Sequence, residues 1–298
     1  MSNQVLIGIP KGSLEKTTLA LFAKAGFAFY GSERSLWLTS NDIEIRPVLL
    51  KPQEIPSYVA NGSLDGGLSG LDWIAETGVS DKIRILADLC YSKRTFRPVR
   101  WVLAVAEDSP YQTPEDLQKI GDLPKRIATE LKGITASWLA EKGVLAEVDF
   151  SWGATEAKVP AFADAIVECT ETGASLQSNG LRIIDTVFES TTQFFANKEN
   201  YKKDEWKRNK LDAIALLLKA CLAADHKVPI RVVVSNEEVS TLSALIPGDV
   251  SFTVFSGDNG SKLIDIIVEK EKARDLIPLL ARHGHAKISV GSFGMFYE

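Results

Sequence analysis

Short apolar runs alternate with stretches whose apolar residues recur at helical spacing through the first two hundred positions. Val5 to Ile9 reads as a buried strand, and Ile43 to Leu49, Lys82 to Leu86 and Trp101 to Val105 read as further strands. Lys11, Gly12 and Ser13 form a turn, from which a helix over Leu19, Leu21 and Phe22 can start. Glu54 to Asn61 is a short helix leading to Leu64 and Gly70. A second series follows: helix from Thr113 to Lys119, strand from Arg126 to Thr129, helix from Ile134 to Lys142, and strands at 147–150 and 166–169. Strands alternating with helices predict α/β lobes with mainly parallel sheets. The chain is expected to return to its first lobe through Leu181 to Val187, and 198–210 reads as a charged surface stretch.

Leu211 to Ala224 is apolar at helical spacing and joins this region to the tail. The tail has its own pattern: strand 230–234, helix 237–245, strands 251–255 and 263–268, helix 273–283, and strand 287–290. That order is βαββαβ, a ferredoxin-like unit. The expected division is therefore 1–101 for one lobe, completed by about 185–224, then 102–184 for a second lobe, and 225–298 for a separate domain. Two lobes joined by crossing strands put a cleft at the carboxyl ends of the strands.

Composition narrows the class. The chain has 298 residues, 45% hydrophobic and 24% charged, with a net charge of −5. Scattered Lys and Arg in an acidic chain argue against a nucleic-acid surface, though not against a local phosphate site. The sequence shows no export signal and no apolar run of membrane-spanning length, so a cytoplasmic protein without membrane contact is expected. Cys90, Cys169 and Cys221 are far apart and read as reduced thiols, Cys169 as a small core residue. His226, His283 and His285 all lie in the tail. The last two are spaced like a metal pair but lack a third ligand, and no dedicated metal ligands are assigned.

The most informative stretch runs from Ala165 to Leu181. A β-branched run ends at the acidic Glu168, and a turn rich in hydroxyl and small residues follows, from Thr170 to Ser175. Such a turn aims amides and hydroxyls at a phosphate, and Gly173 removes an obstructing Cβ. A nearby carboxylate suits sugar hydroxyls or a hard cation. The segment resembles the phosphoribosyl-pyrophosphate loop of the ATP phosphoribosyltransferases. Gly8 to Leu14, Leu64 to Trp73, Arg126 to Thr129 and Ala140 to Val144 match in the same order.

The resemblance implies a two-lobed catalytic region like the type II periplasmic binding proteins, followed by a ferredoxin-like regulatory domain. It also implies ATP and phosphoribosyl pyrophosphate as substrates, Mg²⁺ carried largely on substrate oxygens, and feedback inhibition by L-histidine. Homodimers assembling into hexamers complete the expectation. Glu168, where the family often has Asp, is then assigned to the ribose hydroxyls, against the alternative of a solvated strand-end carboxylate. Thr170, Thr172, Gly173, Ala174 and Ser175 are assigned to the 5′-phosphate, with Asp164 and Glu171 as weaker candidates. Lys11 and Gly12 are nucleotide or pyrophosphate contacts. Arg34 and Lys51 are cations for the departing pyrophosphate, although Lys51 stands where the family commonly has arginine. Gly67 and Gly70 are expected in a phosphate-approaching turn. Asp72 is either part of that turn or a helix cap, and Glu156 is either an ATP contact or a helix-start carboxylate. Ser251 and Thr253 are the effector candidates. The competing readings are a solute-binding protein without chemistry and a weakly active regulatory relative.

Overall fold

A computed structural model describes residues 3–32, 34–91, 98–119, 124–257, 260–283 and 287–297. The chain divides into two compact units, 1–215 and 216–298. The first unit holds two five-stranded sheets.

The first sheet begins with β1 (Val5–Pro10), and helix α1 (Glu15–Lys24) follows. A small hairpin, β2 (Phe29–Tyr30) and β3 (Thr39–Ser40), precedes β4 (Ile45–Leu50) and α2 (Ile55–Ala60). Then come β5 (Gly66–Gly70), α3 (Leu71–Glu76) and β6 (Ile83–Leu89). The second lobe comprises β7 (Val99–Ala106), α4 (Asp116–Lys119), β8 (Lys125–Thr129), α5 (Lys132–Glu141) and β9 (Ala146–Phe150). A 3-10 turn at Thr155–Lys158 leads to β10 (Ala165–Thr170), α6 (Ala174–Ser178) and β11 (Leu181–Ser190). The chain then re-enters the first lobe as β12 (Thr192–Asn197), followed by α7 (Lys198–Lys203) and α8 (Glu205–His226).

The strand orders are β4-β1-β5-β12-β6 and β11-β7-β10-β8-β9. Both sheets are mixed, not mainly parallel. β1 runs parallel to β4 and β5, but β12 is antiparallel to β5 and β6. Likewise β8 is parallel to β9 and β10, while β7 is antiparallel to β10 and β11. The antiparallel pairings centre on β7 and β12, the strands entered after each crossing between lobes. The expected return at 181–187 falls inside β11, still paired with β7, and the crossing itself is at Thr191.

The two crossings are tied together. The fully buried Tyr91, on the outgoing segment, shares a hydrogen bond of 2.8 Å with Thr18 and receives one at its carbonyl from Thr192 Oγ1. Burial pushes the Tyr91 phenol pKa far up, so it stays a neutral hydrogen-bonding strut. The 198–210 stretch is less solvated than its charge suggests. Lys207 pairs with Asp65 at 2.7 Å, and Lys210 holds Asp42 and Glu44 at 2.6 Å each.

Gly67 corrects the expectation of a phosphate-approaching turn. It lies within β5 and is buried under α2. A Cβ there would sit 2.4 Å from Ile55 Cγ2, so the glycine serves close helix-on-sheet packing. Gly67→Ala is expected to destabilise the fold by about 1–3 kcal/mol through overpacking. Substrate affinity per folded molecule should not change. Chemical denaturation together with calorimetry checks both halves, and an intact fold with lost affinity would return Gly67 to the site.

The second unit contains β13 (Lys227–Ser235), α9 (Val239–Ser243), β14 (Ser251–Ser256), β15 (Ser261–Glu269), α10 (Lys270–Arg282) and β16 (Lys287–Val290). Its antiparallel sheet has the order β14-β15-β13-β16, the ferredoxin-like arrangement of a βαββαβ chain. Ile230, Val232, Ile264 and Ile266 pack on Leu242, Leu276 and Leu280.

Candidate active site

The sequence from Ala165 to Thr170 places β10 in the interior of the second sheet, with Ala165, Ile166 and Val167 fully buried. The strand therefore delivers its last residues to the sheet end with little freedom. There the chain turns sharply at Gly173, whose φ of 81° lies in the left-handed region that favours glycine. Thr170 Oγ1 accepts the Gly173 amide at 2.7 Å, and Thr172 Oγ1 accepts the Ala174 amide at 3.4 Å. An accepting hydroxyl keeps its own proton to donate, so both threonines can offer O–H to an anion while holding the turn. Of the amides in the turn, those of Gly173 and Ala174 are thus taken up by the turn's own hydroxyls.

The turn faces a cavity of about 490 Å³ between the lobes. Glu168, Cys169, Thr170, Glu171, Thr172, Ala174 and Ser175 line one side, with Trp101 and Glu130. Ser13, Leu14, Pro52, Gln53, Gly70, Asp72 and Trp73 line the other, and the crossings add Tyr91, Val99 and Ser190 to Thr192.

Among the described residues the charged groups of the cavity wall are the carboxylates Asp72, Glu130, Glu168 and Glu171. Glu168 is held above the ordinary glutamate range, first by burial and also by the neighbouring Glu156 and Glu130 carboxylates, against hydrogen bonds from Thr155 and the Cys169 amide. Asp72 is also raised, chiefly by burial. Its Oδ2 accepts the Trp101 indole N–H at 2.6 Å, and its Oδ1 accepts the Trp73 amide at 2.8 Å. The Asp72 amide donates to Ser190 Oγ at 3.1 Å. Asp72 thus bonds to the second lobe from a helix that follows a first-lobe strand. Gly70 lets its carboxylate fold back, since a Cβ there would sit 2.0 Å from Asp72 Oδ1.

Cys169 departs from the reading as a core side chain: it lines the cavity. Crowding first, then Asp72, Glu168, Glu171 and Glu130, push its thiol pKa far up, which keeps it protonated and a poor nucleophile.

Other candidates fall outside the wall. Glu156 stands behind it, accepting from Ser175 Oγ at 3.0 Å. Asp164 accepts the Arg126 amide at 2.9 Å, at the opposite end of β10 from the turn. Lys11 and Lys51 each follow a strand end, where Pro10 is paired with Leu50. Both are exposed and neither lines the cavity, whereas Ser13, Leu14, Pro52 and Gln53 just beyond them do. Gly12 likewise lies outside the wall, its amide donating to Glu15. Arg34, the other candidate cation for pyrophosphate, is exposed between β2 and β3 and is not among the residues that line the cavity. Sequence reasoning missed Gln53, Tyr91, Trp101, Glu130 and Ser190 to Thr192. The hydroxyl run from Ser190 to Thr192 was the one available signal.

In the second unit, Ser251 and Thr253 are exposed on the edge strand β14. Ser251 lines a cavity of about 360 Å³ with Lys227, Asp249, Lys272 and Phe296, while Thr253 pairs with Asp265 outside it. His283 Nδ1 contacts the Leu279 carbonyl at 2.9 Å, and His285 lies outside the described residues. Among the described residues no three His, Cys, Asp or Glu side chains converge to hold a metal ion. No described helix is long and apolar enough to cross a membrane.

Fold and site together define a two-lobed α/β protein whose cleft is lined by a hydroxyl-rich turn and by carboxylates. Residues 51–220 match the ATP phosphoribosyltransferase family. An ATP phosphoribosyltransferase of Thermodesulfovibrio yellowstonii is 48% identical over 286 residues, covering 95% of both chains. One of Chlorobaculum parvum is 46% identical over 285 residues, covering 95% of this chain and 94% of its own. The solved ATP phosphoribosyl transferase complex (HisG:HisZ) from Thermotoga maritima has a chain that superposes with a TM-score of 0.60 at 26% identity, over 72% of this chain and 98% of that one. The chain belongs to the ATP phosphoribosyltransferase family. It is therefore a pentosyltransferase, associated with the first step of histidine biosynthesis.

Proposed function

We propose that the chain joins N1 of ATP to C1 of phosphoribosyl pyrophosphate and releases pyrophosphate. One observation carries this reading: the Thr170 to Ser175 turn, Glu168 and the opposite lobe's Ser13, Gln53 and Asp72 converge on a single cavity. In this reading Thr170 and Thr172 donate hydroxyl protons to the 5′-phosphate, Ser175 joins them when its hydroxyl turns from Glu156 to the ligand, and Gly173 and Ala174 supply the narrow backbone. Glu168 accepts from the ribose hydroxyls, which fixes the sugar's orientation. The nucleotide takes the first-lobe side. The N1 lone pair forms the bond to C1 as the C1–oxygen bond breaks, and the electron pair leaves with pyrophosphate. Alignment and charge stabilisation supply the rate, without a covalent enzyme intermediate.

Among the described residues the charged groups of the wall are carboxylates, which suits polyphosphate substrates that arrive with a divalent cation. The carboxylates and hydroxyls of the wall are hard oxygen donors that suit Mg²⁺, with Glu168 and Glu171 the nearest to the sugar-phosphate turn. When bound, Mg²⁺ would offset phosphate charge and stabilise the leaving group. Lys11 and Lys51 remain candidates for pyrophosphate because both follow the carboxyl ends of adjacent parallel strands. Arg34 has no such support.

The reading extends to L-histidine as a feedback inhibitor bound by the second unit, with Ser251 the better placed of the two effector candidates. It also includes homo-oligomers, from dimer to hexamer, measurable by analytical ultracentrifugation. Cys90, Cys169 and Cys221 are not disulfide-bonded, which suits a reducing cytoplasm. The test is direct: mix the protein with Mg²⁺, ATP and phosphoribosyl pyrophosphate, then assay for adduct and pyrophosphate. Tight binding of either substrate with no adduct would favour a binding protein instead.

Glu168 gives a pH signature. Its raised pKa means the ionised, hydroxyl-accepting form appears only above the usual glutamate range near 4.5. Affinity for phosphoribosyl pyrophosphate should therefore rise with pH through that shifted value. The stability contribution has the opposite sign: it is present below the unfolded pKa and is lost as pH rises through the folded one. Glu168→Gln is expected to remove the acid limb and to weaken binding roughly 10- to 100-fold, the worth of a hydrogen bond to a charged group. Calorimetric titrations across pH 4 to 7, an interval set by the ordinary carboxylate range, decide it. The same limb persisting in the variant would assign it to another group.

A further inference from the structure

Helix α3 follows a strand of the first lobe, yet it is fastened to both lobes. Ile74 packs into the first-lobe core beside Ile55, Val59 and Phe195. Its neighbour Trp73 packs against the second-lobe core and meets Trp101 edge-on, with centroids 6.0 Å apart. At the start of α3, Asp72 bonds to Trp101 and Ser190, and the Leu71 amide donates to the Thr191 carbonyl at 3.0 Å.

The far end of α3 carries a second fastening. The first turn of α5 needs acceptors for its free amides. Its N-cap residue is Leu131, which provides no side-chain acceptor, and its first turn holds no acidic residue. Glu76 fills the gap from the other lobe. Its Oε1 accepts the Gly133 amide at 2.8 Å, and its Oε2 accepts the Ile134 amide at 2.9 Å. A carboxylate at a helix N-terminus also meets the positive end of the helix dipole. Glu76 touches no wall of the cleft. It faces a groove on the other side of α3, shared with Trp138 and Phe188.

We propose that Glu76 is a positioning residue for the transfer reaction: by capping α5 from α3, it sets the angle at which the first lobe's Gly70 and Asp72 face the second lobe's phosphate turn. The proposal rests on the transfer reaction proposed above. The ribose and 5′-phosphate are held by the second lobe, and Lys11 and Lys51 of the first lobe meet the pyrophosphate as it departs, so ground-state binding of the sugar phosphate depends little on that angle. Bringing N1 in line with C1 does depend on it, because the nucleotide lies against the other lobe. Small misalignments of reacting atoms cost large factors in rate.

The test uses the full-length chain with Glu76→Ala and Glu76→Gln. Glu76→Ala should lower kcat by roughly tenfold or more, a modest share of the ~100-fold that 1 Å of misplacement can cost. Affinity for phosphoribosyl pyrophosphate, measured by calorimetry, should be unchanged. Glu76→Gln retains one acceptor oxygen and should recover part of the rate. Hydrogen exchange should accelerate in residues 71–76 and 132–135 while the central strands of both sheets stay protected. The proposal is overturned if kcat in Glu76→Ala matches the wild type. It is equally overturned if affinity and kcat fall together with faster exchange throughout, which would mark a role in folding alone. Should the wild-type chain form no adduct, the reaction reading fails, and the exchange pattern alone decides whether Glu76 fastens the lobes.

Discussion

Gly173→Val is expected to abolish measurable binding of phosphoribosyl pyrophosphate while leaving both lobes folded. At φ 81° a β-branched side chain is strained by about 1–3 kcal/mol, and its Cβ would meet Ile183 Cδ1 at 3.3 Å. The turn must open to relieve this. Opening it breaks the Thr170 bond to the Gly173 amide, which holds the Thr170 hydroxyl in place. Losing even one hydrogen bond to a charged phosphate is worth about 1.5–3 kcal/mol, so affinity should drop by roughly 100-fold or more. Gly180→Val is the matched control. Gly180 also has a positive φ, 68°, but open space surrounds its Cβ position and it lies outside the cavity wall. Both variants should lose similar stability, and only Gly173→Val should lose the ligand. Equal affinities in calorimetry would remove the turn from the phosphate site.

L-Histidine is expected to slow the full chain without competing with phosphoribosyl pyrophosphate. The argument starts from separateness. The second unit has its own sheet and core, and no residue of the cleft wall belongs to it. The superposition on the Thermotoga maritima chain uses nearly all of that chain but only 72% of this one, and the family match ends at residue 220. The relatives at 48% and 46% identity, by contrast, align over 95% of this chain, tail included. A two-lobed part that superposes without the tail, and a tail kept in the longer relatives, suit a regulatory role. Coupling of about 2 kcal/mol would give roughly 30-fold inhibition. A chain ending at Ala224 keeps all of the first unit and nearly all of α8, and should lose the response. Inhibition kinetics with calorimetry on both chains make the comparison. An active full-length enzyme that neither binds histidine nor slows in its presence would refute the regulatory reading.

The parts of this fold legible in the sequence are those with a local cause. β10 and its turn announced themselves because a buried β-branched run, an acidic residue and a glycine stand in order within eleven residues, 165–175. The βαββαβ tail was legible because each element carries its own period. β12 was not read at all. Thr192 to Asn197 is wholly buried, yet it contains Gln193 and Asn197, whose burial depends on partners far away. Asn197 donates to the Val59 carbonyl at 2.8 Å and caps α7, neither of which is visible locally. β5 misled for a related reason. Its three glycines look like a turn, and only packing from far along the chain explains the adjacent pair in a central strand: a Cβ on Gly66 would meet Leu211 of α8, and one on Gly67 would meet Ile55 of α2. In the site, the hydroxyl-rich turn lies within one segment, so its residues could be singled out together, and they line the cavity. The cations were expected from strand ends, but side-chain reach is not written in strand position, and Lys11, Arg34 and Lys51 all miss the wall.

The placement of β12 between β5 and β6 has a consequence for how the molecule is made. Those two strands do not pair with each other, so β6 has no neighbour in its sheet until β12 exists. The second lobe's sheet is drawn entirely from one uninterrupted stretch, 99–190. On a ribosome, where domains form as their residues emerge, the second lobe can close first. The first lobe, begun earlier, then waits with an open sheet for residues 192–197. Its assembly is gated by its longest sequence separations, the slow step in forming non-local sheets. A released chain ending just before Thr192 would therefore carry a finished phosphate-turn lobe tethered to an unfinished partner.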